Sequence, residues 1–282
     1  MDVYLRFILA IIACLFIIFI PVTTTSDQSG FPIEPSYTIE DIYSPEVVHL
    51  EDLQMDLGAK EANYKVEQQV WYSGNEEKRQ VALTFDDGPD NYYTLQILDI
   101  LQEHDIKATF FVIGSNVERF PEVVERIANE GHIIGNHSWS HKDFAKLSSN
   151  SMLEELVNTE EILYSIVGNK HTNIFRPPYG SYSSEVLEVI HSRNYNFVYW
   201  SVDTRDWANT PISIMVKTVS SQITPGGIIL MHSSGSNQAM KNTVTALPEI
   251  IKTIKDLEYE FVTIPEVLGF KKQDNYHNLR GV

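Results

Sequence analysis

The stretch Val81-Ala-Leu-Thr-Phe-Asp-Asp-Gly-Pro-Asp90 decides how the rest of the chain is read. Its first five residues read as a buried strand. Two carboxylates stand at the strand end, and Gly88-Pro89 turns the chain at once. Adjacent acids repel each other and resist burial. A site that holds both gives them different tasks, one on a cation and one on a proton. A solvated Asp-Asp-Gly-Pro turn is the alternative for such a tetrapeptide, and the residues downstream decide between the two.

Strand and helix patterns alternate outward from this stretch. Further strands are expected at residues 108–113, 132–135, 173–176, 197–203, 227–231 and 260–263. Helices are expected at 93–104, 121–130, 148–167, 183–193, 212–222 and 243–256, with a last helical turn at 265–268. Such alternation predicts an α/β fold with parallel strands, as a barrel or an open doubly wound sheet. Both place function beyond the carboxyl ends of strands. Asp86, Asp87, His137, Arg176, Asp203, Asp206 and His232 all fall there.

His137-Ser-Trp-Ser-His141 is a histidine pair at i and i+4, a spacing that puts both rings on one face of a helical turn. Alone it is a common surface pattern. With a strand-end aspartate it becomes a two-histidine, one-carboxylate set that leaves positions open for water and substrate on a divalent ion. In Phe175-Arg-Pro-Pro-Tyr-Gly180 two prolines fix the backbone. Arg176 can then hold a carboxylate, and the Tyr179 N–H can face an oxyanion. Asp203-Thr-Arg-Asp-Trp207 supplies acids and an aromatic wall suited to a sugar ring, and His232 follows a buried strand. His132 reads as a structural histidine.

The ordered string Thr84-Phe-Asp-Asp-Gly-Pro89, His137-x3-His141, Arg176-Pro-Pro-Tyr-Gly180, Asp206-Trp207 and Leu230-x-His232 resembles the polysaccharide deacetylase family, the NodB-homology domain of carbohydrate esterase family 4. The resemblance covers about residues 80–269. It implies a distorted (β/α) barrel of seven to eight units with outer helices. It implies that Asp87, His137 and His141 hold one divalent metal, zinc first, with cobalt, nickel or manganese as alternatives. Asp86 would be the base acting on metal-bound water, and His232 the acid for the leaving amine. Arg176 would orient Asp86, and Asp206 would hold the His232 ring. Tyr179 N–H would stabilise the oxyanion, while Trp207 and Leu230 would line the groove. Asp203 has no assigned role.

The substrate this implies is a cell-wall glycan, with peptidoglycan N-acetylglucosamine or N-acetylmuramic acid ahead of chitin. A non-catalytic carbohydrate-binding relative is the rival, but it would lack Asp86 or His232. A metalloprotease would favour His-Glu-x-x-His, whereas Ser138 follows His137 here. A phosphatase would usually build a two-metal site with more carboxylates.

The remaining segments set the context. The net charge of −17 argues against a nucleic-acid partner. Residues 7–20 form an apolar run behind Arg6, and Lys and Arg are absent from residues 21–58. Residues 1–25 are therefore expected to be a signal peptide or membrane anchor, with the bulk of the chain exported. Residues 26–75 read as a stalk, 76–270 as the catalytic domain and 271–282 as a polar tail. Cys14 is the only cysteine, so no disulfide forms within the chain. A monomer is expected.

Overall fold

The computed structural model describes residues 70–270. The leader, most of the stalk and the polar tail lie outside these residues.

The described chain runs β1 Val70–Trp71, β2 Gln80–Asp86, α1 Tyr93–Glu103, β3 Thr109–Val112, α2 Gly114–Arg119, α3 Pro121–Asn129, β4 Ile133–Asn136 and α4 Ser149–Val167. It continues β5 His171–Phe175, α5 Ser184–Ser192, β6 Asn196–Val198, β7 Val202–Asp203, α6 Ile212–Gln222, β8 Gly227–His232, α7 Asn237–Asp256, β9 Glu260–Phe261 and α8 Ile264–Val267. The strands form one parallel sheet in the order β1-β6-β5-β4-β3-β2-β8-β7, with β9 also paired to β2.

The chain between β6 and β7 forces this sheet to curl. Only Tyr199, Trp200 and Ser201 separate the two strands, a stretch that reaches at most about 14 Å. In the sheet they stand six strand spacings apart, roughly 29 Å if the sheet were flat. The ends must therefore come round toward each other. A bridge between Ser73 and Gly227, with Gly74 N–H donating to the Gly226 carbonyl at 2.7 Å, ties the β1 end to β8. This curled parallel sheet with outer helices is the distorted (β/α) barrel expected from the sequence.

Alternation along β2 sets what faces where. Val81, Leu83 and Phe85 are fully buried in the main apolar cluster, where Phe85 stacks on Phe110 at 5.2 Å. Each such side chain contributes about 1.5–3 kcal/mol by leaving water. The helices seal this cluster from outside: α1 buries Ile97, Leu98 and Leu101, and α3 buries Val123, Val124 and Ile127. Ser148 caps α4 by accepting from Ser151 N–H.

Two local expectations fail. The strand expected at 197–203 is two strands, because its ends pair with opposite sides of the sheet: β6 with β5, and β7 with β8. The short helix α2 follows β3 directly, so Gly114 begins a helix instead of ending a segment.

Candidate active site

Sheet register brings the two groups of greatest chemical interest together. Asp86 ends β2 and His232 ends β8, and the two are direct partners across parallel strands. Thr84 and Leu230 are the next pair on the same face. Asp87 leaves the strand at φ 70. A left-handed aspartate is uncommon and costs strain, which collects at functional sites. His141 (φ 58) and Tyr179 (φ 60) adopt the same backbone region.

Asp87 faces two histidines. Its Oδ1 lies 3.1 Å from His141 Nε2 and 3.4 Å from His137 Nε2. His137 Nδ1 lies 2.6 Å from the Arg176 carbonyl oxygen, which can only accept. That nitrogen therefore carries a proton, which leaves Nε2 as the atom turned toward Asp87. Asp87 Oδ1 is buried with no hydrogen-bond partner among the described residues. Burial opposes its ionisation, yet the rings of His137 and His141, with His232 beyond, hold its carboxyl well below the usual range.

A carboxylate oxygen and two imidazole nitrogens that converge on one point fit a divalent cation. The three ligand atoms lie within 4.8 Å of one another. Two ligands at ~2.0–2.1 Å from one tetrahedral ion stand about 3.3 Å apart, close to the spacings seen. The chain thus brings Asp87, His137 and His141 together as expected, but not on a helical turn. Residues 137–141 form a loop after β4, with Ser138 at φ 70. Local polar groups shape it: Asn136 Oδ1 accepts from Ser138 N–H, and Ser138 Oγ accepts from His141 N–H.

A buried acid of α4 grips the same loop. The Glu155 carboxylate accepts from Trp139 N–H, Ser140 N–H and the Ser140 hydroxyl, and lies 3.0 Å from Lys142 Nζ. Burial raises its pKa, but these donors outweigh burial and leave it lowered. Sequence reasoning missed Glu155, because a single acid inside an amphipathic helix carries no signature.

Asp86 is oriented from behind. Arg176 is fully buried, and its guanidinium donates to Asp86 Oδ1 at 2.7 Å and to Thr84 Oγ at 2.8 Å. It also donates to the Val198 and Tyr199 carbonyls and lies over the Phe111 ring at 4.1 Å. Burial lowers the Arg176 pKa, partly offset by Asp86. Thr84 is a second residue that sequence reasoning missed in this role.

His232 is held in the same fashion. Its Nδ1 lies 2.8 Å from Asp206 Oδ1, while Asp206 Oδ2 accepts from His232 N–H and from the Thr243 hydroxyl. Burial pulls the imidazole pKa down, but the Asp206 charge and hydrogen bond, with Asp87 and Asp86 behind them, raise it to about 9. His132 behaves oppositely: buried, with Nδ1 accepting from Ala108 N–H, it is lowered to about 4. That is the structural histidine expected.

Asp86, Asp87, His137, His141, Tyr179, Trp207, Leu230 and His232 share one cleft of about 440 Å³ with Asp203 and Trp200. Arg176 and Asp206 lie fully buried and reach the cleft only through the groups they orient. Asp203 is raised by burial, and its carboxylate accepts from Arg205 N–H. An aspartate and a histidine of raised pKa flank a group that could hold a cation, an arrangement suited to adding water across an acyl group and protonating what leaves.

The model of the polysaccharide deacetylase family matches residues 73–198. A peptidoglycan-N-acetylglucosamine deacetylase of Bacillus cereus is 42% identical over 202 residues, covering 72% of this chain and 73% of the relative. The peptidoglycan-N-acetylmuramic acid deacetylase PdaA of Bacillus subtilis is 34% identical over 222 residues, covering 76% of this chain and 81% of the relative. A crystallised peptidoglycan N-acetylglucosamine deacetylase superposes with a TM-score of 0.69 at 41% identity, covering 72% of this chain and 94% of that one.

Proposed function

This chain belongs to the polysaccharide deacetylase family, and on that premise we propose that it hydrolyses N-acetyl groups of cell-wall peptidoglycan with the help of a bound divalent cation. The single observation that carries the reading is the convergence of Asp87, His137 and His141 between Asp86 and His232 in one cleft.

Asp87, His137 and His141 would hold the divalent cation, zinc in this proposal, and it would supply a Lewis acid for the acyl oxygen and a water whose pKa falls from about 15.7 toward 7. The chain's own groups do the rest. Arg176 ties down Asp86 Oδ1, and Oδ2 stands 3.8 Å from His137 Nε2. From there Asp86 takes a proton from the water that attacks the acetyl carbonyl carbon. Negative charge grows on the acetyl oxygen, and Tyr179 N–H donates to it, a contribution of about 3–4 kcal/mol for such a donor. His232, charged at neutral pH and fixed through Nδ1 by Asp206, gives its other ring proton to the amide nitrogen. The C–N bond breaks, and acetate and the free amine leave. Leu230 walls the cleft beside the acetyl group, and half-exposed Trp207 offers a face to the sugar.

Residues 1–25 are proposed to carry the domain across the membrane, as a cleaved signal peptide or a retained anchor. The apolar run at 7–20 and the absence of Lys and Arg from 21–58 support this. Acetate release from purified peptidoglycan, compared with chitooligosaccharides, tests the substrate. Release from peptidoglycan is expected to dominate. Release from chitooligosaccharides alone would overturn the substrate while leaving the chemistry.

A further inference from the structure

We propose that the exposed tyrosines Tyr72 and Tyr182 form a ledge beside the catalytic cleft that docks neighbouring sugar rings of the same glycan strand. The proposal rests on the deacetylase reading and deepens it, because it makes the substrate a chain and not a single sugar.

Tyr72 is 44% exposed and Tyr182 36% exposed, and both sit where large apolar side chains are usually covered. They are 110 residues apart in sequence, yet their hydroxyls meet at 2.6 Å. That bond fixes two rings at the surface, so little side-chain freedom is lost when something lies on them. The pair is joined to the cleft by a row of aromatic rings in contact. Tyr72 lies 5.0 Å from the Tyr199 ring, and Tyr199 stacks on Trp200 at 3.9 Å with only 9° between planes. Trp200 lines the catalytic cleft.

Gly180 shows that the array is built tightly. A Cβ there would meet the Tyr199 hydroxyl at 2.5 Å and Trp200 at 2.6 Å, and φ is +62°. The glycine lets the Tyr179 loop lie against the aromatic row, and Tyr199 Oη donates to the Gly180 carbonyl.

The occupant follows from continuity with the cleft. A glycan whose acetylated sugar sits at Asp86 and His232 continues out over this row. A pyranose presents a face of C–H groups that lies flat on an aromatic ring and displaces water from it. The ledge carries no charge of its own, which suits a neutral ring better than a charged peptide stem.

The test is binding of N-acetylglucosamine oligosaccharides, dimer to hexamer, measured by calorimetry on the full-length chain in an Asp86→Asn background that blocks turnover. Affinity is expected to rise with chain length. Tyr72→Ala or Tyr182→Ala should weaken hexamer binding about three- to tenfold, the scale of one aromatic contact, and leave the dimer unchanged. The two tyrosines lie on separate segments, so misfolding of one variant leaves the other decisive. Hexamer affinity unchanged in a folded variant would overturn the ledge. Acetate release from purified peptidoglycan by the parent chain is read separately. Release with no length effect rejects the ledge alone, whereas a length effect without release supports the ledge and rejects the deacetylase reading.

Discussion

Asp86 and Asp87 are neighbours in sequence with opposite surroundings. One carboxylate faces a buried arginine, and the other faces two imidazole nitrogens. On the proposed reading, that difference gives the proton to Asp86 and the cation to Asp87. Asp86→Asn is expected to keep metal content unchanged while lowering kcat by about 10²–10⁴. Normal acetate release from that variant would remove Asp86 as the base. His232 gives the pH dependence. With its pKa raised to about 9, it stays charged through neutral pH and loses its proton on the alkaline side. Asp206→Asn removes the largest cause of the rise, so the descending limb of kcat/KM should move to lower pH. In metal-free protein the same residue links to stability. A folded pKa above the unfolded value near 6.5 contributes stability below that pH and loses it on the way to 9. Urea midpoints should therefore fall across that window in the parent and fall less in Asp206→Asn.

At the scale of elements, strand register makes the pairing of base and acid automatic, because Asp86 and His232 end adjacent parallel strands in step. Loops then deliver the cation site. The clamp of Glu155 on residues 139–142 joins α4 to the histidine loop. Glu155→Ala is expected to weaken metal binding about 10–100-fold, with Glu155→Gln between, as read by competition with a chromophoric chelator. Gly180→Ala should lower both stability and activity, since its Cβ would strike Tyr199 and Trp200. These elements also show what the sequence made legible. Residues 81–85, 212–222 and 227–231 read correctly because apolar runs and helical periodicity are local signals. The break after Val198 was not legible, because pairing with opposite sides of one sheet is a long-range property. The pair His137 and His141 was identified through its spacing, but the helical reason was wrong. An Asx turn at Asn136 and a left-handed Ser138 bring the rings together instead. Glu155 and Thr243 carried no motif, since each acts only through a partner distant in sequence, and the motif that opens at Thr84 gave no sign of its bond to Arg176.

For the whole molecule, the curl of the sheet is what turns separate strand ends into one cleft. The three residues between β6 and β7 draw Trp200 into the cleft wall and pull the ends of the sheet toward each other. Among the described residues no helix is long and apolar enough to cross a membrane. A cation bound only by the folded state should stabilise the whole domain by about 2.7 kcal/mol at a hundredfold excess over Kd. Thermal melts should show the rise on zinc addition and its reversal by chelator, and His137→Ala should abolish both. The most direct measurement is acetate release from purified peptidoglycan by chelator-stripped protein as zinc is added back. The account predicts no release without metal, full recovery near one zinc per chain, and no recovery in His137→Ala. Release that persists without metal, or that survives in His137→Ala, would contradict it.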